Sequence, residues 1–581
     1  MTAISVSTTI TSGRRQLVNA RQRSLLIAKR RVLLLLLLFA LIALCALMRI
    51  ALLGFLEPAA AQARSAAEAL LPERGDIVDR NGVPLARAFN AYALWYNPDA
   101  LGGGSPLVNT PEQVAAALVR IFPDMDKKDL TERLAAGKPT YLRRRILPED
   151  ANRIHALGEP ALEFPRENER FYPQGSMAAH VLGFVSADGK GRVGMEEVFD
   201  KQLTDPLTRG KPAVISIDSR VQGALEDELG RGMYESQAKG AAGIVLDVDT
   251  GEVLALASLP AFNPNRLEKS DARNIFNRVT NQVYELGSTF KPITVAAALD
   301  AGTVKDLGHR YQASRPLAIG GFLIRDSHAL GATLNVPETL IHSSNIVTAQ
   351  IADELGGEKL KATMQSLGFN ERPYIELPAR GFPIWRKGKW ARITTMTVSY
   401  GHGIAVTPLH LATAYATLVN GGVWRPATLM KVEPGHAPAG RRVFKAATSA
   451  RMRQLLRMIV VHGTGRKADA PGFRIGGKTG SAEKPGEGGG YRQSVLVSTF
   501  AAAFPMDRPR YVVIAMLDEP KGTAATSYQR TAAWNAAPVV GRVVPRIGPL
   551  LGVMPDETRD VDITDLKPLI PGEASGGGGG E

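Results

Sequence analysis

The longest uninterrupted apolar pattern in the chain runs over residues 32–56, broken only by Arg49. It has no helical or strand periodicity and is long enough to cross a bilayer as one helix. Beyond it the pattern alternates between two periods. Residues 74–86 read as strand, Asn-Gly turn, strand, the turn being Asn81-Gly82. Residues 111–160 carry a mainly helical period, with a strand over 141–148 between helices. Residues 213–218 read as a strand and 220–233 as a helix. Residues 243–248 and 252–258 flank the turn Asp249-Thr250-Gly251 and form a hairpin. A buried helix follows Ser288, and a helical region extends to about 420. Strands return at 475–481, 494–504 and 510–517, and a weak helix broken by prolines spans 533–551. Adjacent hairpins among helices predict an α+β fold with an antiparallel sheet. The expected organisation is a basic tail (1–31), a membrane anchor (32–56), an α+β pedestal module (57–210), a second domain (211–555) and a disordered tail (556–581), with no internal repeat.

Charge sharpens the reading of the amino end. The chain has 581 residues and a net charge of +14. Part of that excess is local: Arg14, Arg15, Arg21, Arg23, Lys29, Arg30 and Arg31 stand before the apolar run, with no acid among the first 31 residues. Basic residues on the amino side predict that side in the cytoplasm and everything after Glu57 exported. A cleaved signal peptide is the competing reading, because Ala61-Gln62-Ala63 resembles a cleavage site. The apolar run is longer than a usual signal core, which favours an uncleaved anchor. The single cysteine, Cys45, lies inside the run, so no disulfide or cysteine-based metal site forms within one chain. Basic residues beyond the anchor are scattered, which argues against nucleic-acid binding.

The candidate chemistry centres on Ser288-Thr289-Phe290-Lys291. If this stretch opens a helix, positions i and i+3 share a face and the hydroxyl meets the amine. A partly desolvated lysine can take a serine's proton and make it a nucleophile. The spacing alone is weak, since about one such pair is expected by chance in a chain this long. Two others occur, Ser236/Lys239 and Ser481/Lys484, but neither precedes a long apolar helix. Company downstream separates Ser288 from them. Ser343-Ser344-Asn345 falls in a break between helical stretches, and Lys478-Thr479-Gly480 lies on a glycine-flanked strand. Ser-x-x-Lys, Ser-x-Asn and Lys-Thr-Gly in this order form a known constellation of serine acyltransfer.

On these motifs the chain resembles a class B penicillin-binding protein, a serine acyltransferase that cross-links peptidoglycan. The stretches Arg74–Gly82, Arg170–Gly175, Asp249–Ala255 and His462–Ala468 are also family-like. Asn345, the short anchor and the modest pedestal resemble the septal (cell-division) type rather than the elongation type. The resemblance implies that Ser288 attacks the penultimate D-Ala carbonyl of a stem pentapeptide, with Lys291 as base. Ser343 would relay a proton to the leaving nitrogen, Lys478 would hold the local field, and Asn345 would bind the substrate amide. Backbone N–H groups of Ser288 and Ser481 would form an oxyanion hole. The strand through Lys478, Thr479, Gly480 and Ser481 would pair with the peptide, and the Thr479 and Ser481 hydroxyls would bind its carboxylate. β-Lactams would acylate Ser288. The implied partners are the membrane, a membrane glycosyltransferase and other division proteins; no metal or cofactor is implied.

Ser481 stands where the family usually has threonine, and His402, in Ser399-Tyr400-Gly401-His402-Gly403, where many relatives have an aromatic. His402 lines the cleft or is a structural histidine near a turn. No histidine has the context of a Ser-His-Asp triad, and His180, His342 and His462 sit in structural-looking segments. Two other readings compete: a hydrolase on the same fold, a β-lactamase or carboxypeptidase, and a non-catalytic scaffold. The first lacks a Glu-x-x-Leu-Asn segment between Asn345 and Lys478; the second should have lost Ser288, Lys291 or Lys478.

Overall fold

The computed structural model describes residues 25–49, 73–100, 102, 106–186, 188–486 and 490–570. The chain divides into two compact units, Met1–Leu71 and Pro72–Glu581. In the first, helix α1 (Leu25–Arg49) is exposed along its whole length. A helix satisfies its own backbone hydrogen bonds, so an apolar one of this length suits lipid surroundings. It begins seven residues before the apolar run, and positions 50–56 of the expected anchor lie outside the described residues.

The second unit opens on a six-stranded sheet. Strand β1 (Ile77–Val78) pairs antiparallel with the long β2 (Pro84–Tyr96) across the Asn81-Gly82 turn. Helices α2 (Pro111–Ile121), α3 (Lys127–Ala135) and α4 (Pro148–His155) cover β2 and β3 (Thr140–Ile146), burying Leu94, Tyr96, Leu118, Leu134 and Ile154. Thr110 and Gln113 close a capping box at the start of α2, with Pro111 at its first position. β4 (Leu162–Glu163) and β5 (Arg166–Phe171) pair with β2.

Two family-like stretches meet at one buried carboxylate. Arg74 Nε donates to Glu196 Oε2 at 2.8 Å, Arg170 Nε to Glu196 Oε1 at 2.6 Å, and Tyr172 Oη to the same oxygen at 3.2 Å. A fully buried carboxylate is tolerable only with such partners. The rest of the first stretch ties the pedestal to the second domain. β1 pairs in parallel with β6 (Ala213–Val214), so the expected boundary near 211 falls next to a strand shared with the pedestal sheet. Asp79 accepts from the Ser219 hydroxyl at 2.8 Å, and Asn81 donates to Asp218, the N-cap of helix α5 (Ser219–Glu235), at 3.0 Å.

The catalytic-candidate domain is built on a five-stranded antiparallel sheet. Its strands are β7 (Gly240–Asp247), β8 (Val253–Leu259), β11 (Gly476–Pro485), β12 (Tyr491–Phe504) and β13 (Tyr511–Asp518), in the spatial order β8-β7-β13-β12-β11. The central strands are apolar on both faces because both are covered. α5 and the terminal helix α11 (Ala536–Ile547) pack on one face, and helix α9 (Pro408–Val419) on the other. Helix α6 (Lys291–Asp300) is buried nearly throughout, as its run of alanine and β-branched residues predicts.

Two expectations are corrected. The region between 301 and about 420 is not purely helical: a hairpin of β9 (Leu317–Ile319) and β10 (Phe322–Ile324) interrupts it before helices α7 (Val336–His342) and α8 (Asn345–Leu355). Three-residue strands are too short to leave a periodic signal. Residues 556–570 of the expected disordered tail are packed on the domain. Leu566 and Ile570 are buried, Arg457 on helix α10 (Ala446–His462) pairs with Asp560 at 2.8 Å, and Asn335 Nδ2 donates to the Leu569 carbonyl at 2.6 Å. The glycine-rich end, 571–581, lies outside the described residues.

Candidate active site

The nucleophile candidate sits on a 3₁₀ turn, Gly287–Phe290, rather than on the α-helix itself, which begins at Lys291. The Lys291 N–H donates to the Ser288 carbonyl. In a 3₁₀ turn residues i and i+3 are eclipsed, so Ser288 and Lys291 still share a face. The turn is fixed from below. Phe290 is fully buried against Phe369, and Tyr415 Oη donates to the Thr289 carbonyl at 2.9 Å. Ser288 itself keeps partial exposure.

Lys291 and Lys478 are both fully buried and converge on one hydroxyl. Lys291 Nζ donates to Ser343 Oγ at 3.0 Å and to the Ser343 carbonyl; Lys478 Nζ donates to Ser343 Oγ at 2.9 Å. Ser343 presents both oxygens to Lys291 because it is left-handed (φ 62°), capping the C-terminus of α7. For a residue with a Cβ that conformation costs about 1–3 kcal/mol, and such strain gathers at functional sites.

Hydrogen-bond counting separates the two amines. Lys478 Nζ has three acceptors: Ser343 Oγ, the Thr479 carbonyl at 3.0 Å and Thr479 Oγ1 at 3.3 Å. That number suits an ammonium. Lys291 Nζ has two, both on Ser343. That suits a neutral amine with its lone pair uncommitted. Burial pushes Lys291 well below its ordinary value, the charge on Lys478 pushes the same way, and Asp326 opposes both. Burial brings Lys478 down to about 7. Two ammonium groups around one hydroxyl repel, so one of the pair gives up its proton first. Desolvation and the two-acceptor geometry assign that role to Lys291.

β11 is the edge strand and lies against the nucleophile turn. The third motif residue must be glycine for this. A Cβ on Gly480 would stand 2.4 Å from the Leu286 carbonyl oxygen and 2.7 Å from Thr289 Cγ2. From the other side Gly401 presses on the same turn: it has φ +82°, and a Cβ there would stand 2.2 Å from the Gly287 carbonyl oxygen. Thr479 Oγ1 lies 2.7 Å from Thr464 Oγ1. Ser481 Oγ accepts from the Ala532 N–H at 3.0 Å, keeping its own hydrogen and a lone pair. Asn345 stands at the start of α8, its Nδ2 donating to the Arg325 carbonyl at 2.9 Å.

Thus Lys291, Ser343, Lys478 and Thr479 join in one network, Ser288 and Gly480 adjoin it, and Asn345 and Ser481 flank it. The competing Ser-x-x-Lys pairs do nothing similar: Lys239 bonds Glu519 at 2.6 Å, and Lys484 bonds Asp518 and Glu519 at 2.9 Å each.

A family model described as the penicillin binding protein transpeptidase domain matches residues 241–538, and one described as the penicillin-binding protein dimerisation domain matches residues 69–242. The chain belongs to the penicillin-binding protein transpeptidases. It is of the septal class B type. A probable peptidoglycan D,D-transpeptidase FtsI of Caulobacter vibrioides is 41% identical over 493 residues, 83% of this chain and 82% of the relative. The peptidoglycan D,D-transpeptidase FtsI of Escherichia coli K12 is 30% identical over 533 residues, 87% of this chain and 88% of the relative. Penicillin-binding protein 3 of Mycobacterium tuberculosis, solved with aztreonam, shares the fold: TM-score 0.65, 24% identity, 85% of this chain and 99% of that one.

Several residues of this transpeptidase's site escaped the sequence reading. Thr464 stood in a family-like stretch with no role of its own. Glu285 accepts from the Gly403 N–H at 3.0 Å and from Tyr491 Oη at 2.9 Å, so it ties the segment leading into the Ser288 turn to the 401–403 turn and to the β11–β12 hairpin. His402 lies beside this link, its ring 5.2 Å from that of Tyr400 and 5.7 Å from that of Tyr491. Burial lowers its pKa most, a hydrogen bond to the Tyr400 backbone opposes this, and a proton on Lys291 would lower it further. Neutral His402 therefore borders the site rather than standing remote from it. His180 is a buried structural histidine whose Nε2 contacts the Asn274 carbonyl. Among the described residues no group of three His, Cys, Asp or Glu side chains is placed to hold a metal ion.

Proposed function

We propose that the chain is a septal peptidoglycan D,D-transpeptidase working through a Ser288 acyl-enzyme. The observation that carries the reading is the Ser343 hydroxyl held between two buried lysines beside the Ser288 turn. The donor stem peptide lies along the free edge of β11 as an added strand, with its terminal carboxylate at the Thr479 and Ser481 hydroxyls and an amide on Asn345. The lone pair of Lys291 takes the Ser288 proton while Oγ bonds to the penultimate D-Ala carbonyl carbon. The carbonyl electrons move onto its oxygen, which the Ser288 and Ser481 N–H groups receive; one such donor is worth about 10²–10³ in rate. As the carbonyl re-forms, the C–N bond breaks. The Ser343 hydroxyl gives its proton to the departing D-Ala nitrogen and is refilled from the lysine pair. An amine of a second stem peptide then attacks the ester, returning the proton to Ser288 and completing the cross-link.

β-Lactams enter the same path as acylating mimics, and their ring opening leaves the leaving group tethered in the site. α1 anchors the enzyme in the inner membrane with the amino end cytoplasmic, its basic flank and exposed apolar surface supporting that orientation. A membrane glycosyltransferase and other division proteins are its partners through anchor and pedestal. The test is labelling by fluorescent penicillin of wild type and Ser288→Ala, followed by depletion in cells. A Ser288-dependent, slowly released label and filamentous cells are expected. Rounded cells would move the enzyme to elongation, rapid release of label to hydrolysis, and absence of label in wild type would refute acyl transfer.

A further inference from the structure

One carboxylate outside the three motifs organises the second of them. Asp326 follows β10, in the hairpin region that interrupts the helices. Its Oδ2 accepts from Ser344 Oγ at 2.8 Å, while Oδ1 accepts from the Asn345 N–H and from the Ile346 N–H, the latter at 3.1 Å. These are orphan donors of the first turn of α8. The neighbouring Arg325 carbonyl receives Asn345 Nδ2. Four hydrogen bonds donated to the consecutive residues Arg325 and Asp326 thus fix the segment whose preceding residue, Ser343, bridges the lysines. The hairpin is itself seated: Ile324 is buried with Ala349 of α8, Met396 and Tyr400.

We infer that Asp326 is a positioning residue for the acyl-transfer reaction, pinning Ser344 and the start of α8 so that Ser343 and Asn345 stand in register with Lys291 and Lys478. This rests on the acyl-transfer reading above. Without the carboxylate, the left-handed Ser343 loses the anchor on its C-terminal side, and the relay hydroxyl drifts from the amines. A misplacement of about 1 Å in such a site costs about 10²-fold in rate. The negative charge also reaches Lys291. The charged and titratable groups facing that amine are Lys478 on β11, His402 on the 400–403 turn and Asp326, and only Asp326 favours the protonated form. Neutralising it therefore lets Lys291 lose its proton at lower pH.

The test uses the full-length chain in detergent and fluorescent penicillin, with the acylation rate per labelled molecule measured against pH. Asp326→Asn keeps the shape and one acceptor oxygen, enough for the two backbone N–H groups, but removes the charge. It should shift the acid limb of the profile downward, with the plateau within about threefold of wild type. Asp326→Ala should lower the plateau by about 10²-fold, and Asp326→Glu should recover part of it. A merely structural carboxylate would lower Tm and the active fraction but leave the rate per labelled molecule and the limb where they are. An unmoved or upward-shifted limb in Asp326→Asn overturns the inference, even where Asp326→Ala fails to fold. Failure of wild type to label would instead overturn the acyl-transfer reading.

Discussion

Replacing Gly480 by alanine tests how closely the edge strand must approach the nucleophile. The added Cβ would stand 2.4 Å from the Leu286 carbonyl oxygen, 2.7 Å from Thr289 Cγ2 and 3.2 Å from the Thr289 nitrogen. None of these can move aside. Thr289 Oγ1 is bonded to the Leu286 carbonyl at 2.9 Å, and the Thr289 carbonyl is held by Tyr415 at 2.9 Å. Contacts under 3.0 Å are not tolerated, so strand and turn separate by at least 0.6 Å, the difference between 3.0 and 2.4 Å. Overpacking of this kind costs about 1–3 kcal/mol of stability, which a domain of this size survives. The larger effect is on chemistry. The Ser288 and Ser481 N–H groups proposed to receive one oxygen would be drawn apart, and a displacement of this order costs about 10²-fold, or about 2.7 kcal/mol of barrier. The assay is the second-order rate of penicillin acylation of Gly480→Ala, with Tm as the control for folding. A folded variant acylated within about threefold of wild type would refute the argument that the glycine exists to admit the strand.

Three further outcomes are expected. If Lys291 accepts the Ser288 proton, as proposed, it must be neutral, and burial holds it well below its ordinary value; acylation should then be lost as pH falls and reach its plateau well short of the ordinary lysine range, and a rate still climbing at about pH 10 would contradict this. Lys478 binds its proton at about 7 when folded and at 10.5 when unfolded, so between those values only the unfolded chain holds it and wild-type stability rises with pH; the Tm of wild type should gain on Lys478→Met from about pH 7 to about pH 9.5, and parallel curves would count against it. Deleting residues 556–581 removes the buried Leu566 and Ile570 and the partners of Asn335 and Arg457; a loss of up to about 3–6 kcal/mol and a Tm lower by several degrees are expected, and an unchanged melting curve would show the tail to be passive.

The central strands of the main sheet and the long helices were legible as long apolar or amphipathic runs bounded by turn residues. The motif residues were legible by type and order, since few chains place a Ser-x-x-Lys before an apolar helix and a Lys-Thr-Gly on a later strand. Their geometry was not. That Ser288 rides a 3₁₀ turn depends on Gly287 and on Gly401 pressing against it, a contact between segments more than a hundred positions apart. Asp326 and Glu285 left no signal for the same reason: an isolated carboxylate reads as solvated surface until the fold brings backbone donors to it. The tail was misread because two buried side chains, Leu566 and Ile570, do not make a periodic pattern. Arg74 and Arg170 stood out only as parts of family-like stretches, and the Glu196 carboxylate that joins them explains why both are needed.

The central claim is that Ser288 becomes covalently acylated, its turn adjoining the network of Lys291, Ser343 and Lys478. The most direct measurement is mass spectrometry of the full-length protein after exposure to benzylpenicillin, followed by peptide mapping. Addition of one penicilloyl group, located on Ser288 and absent from Ser288→Ala, is the predicted result. No adduct in folded wild-type protein, or an adduct that maps to another residue and persists in Ser288→Ala, would contradict it.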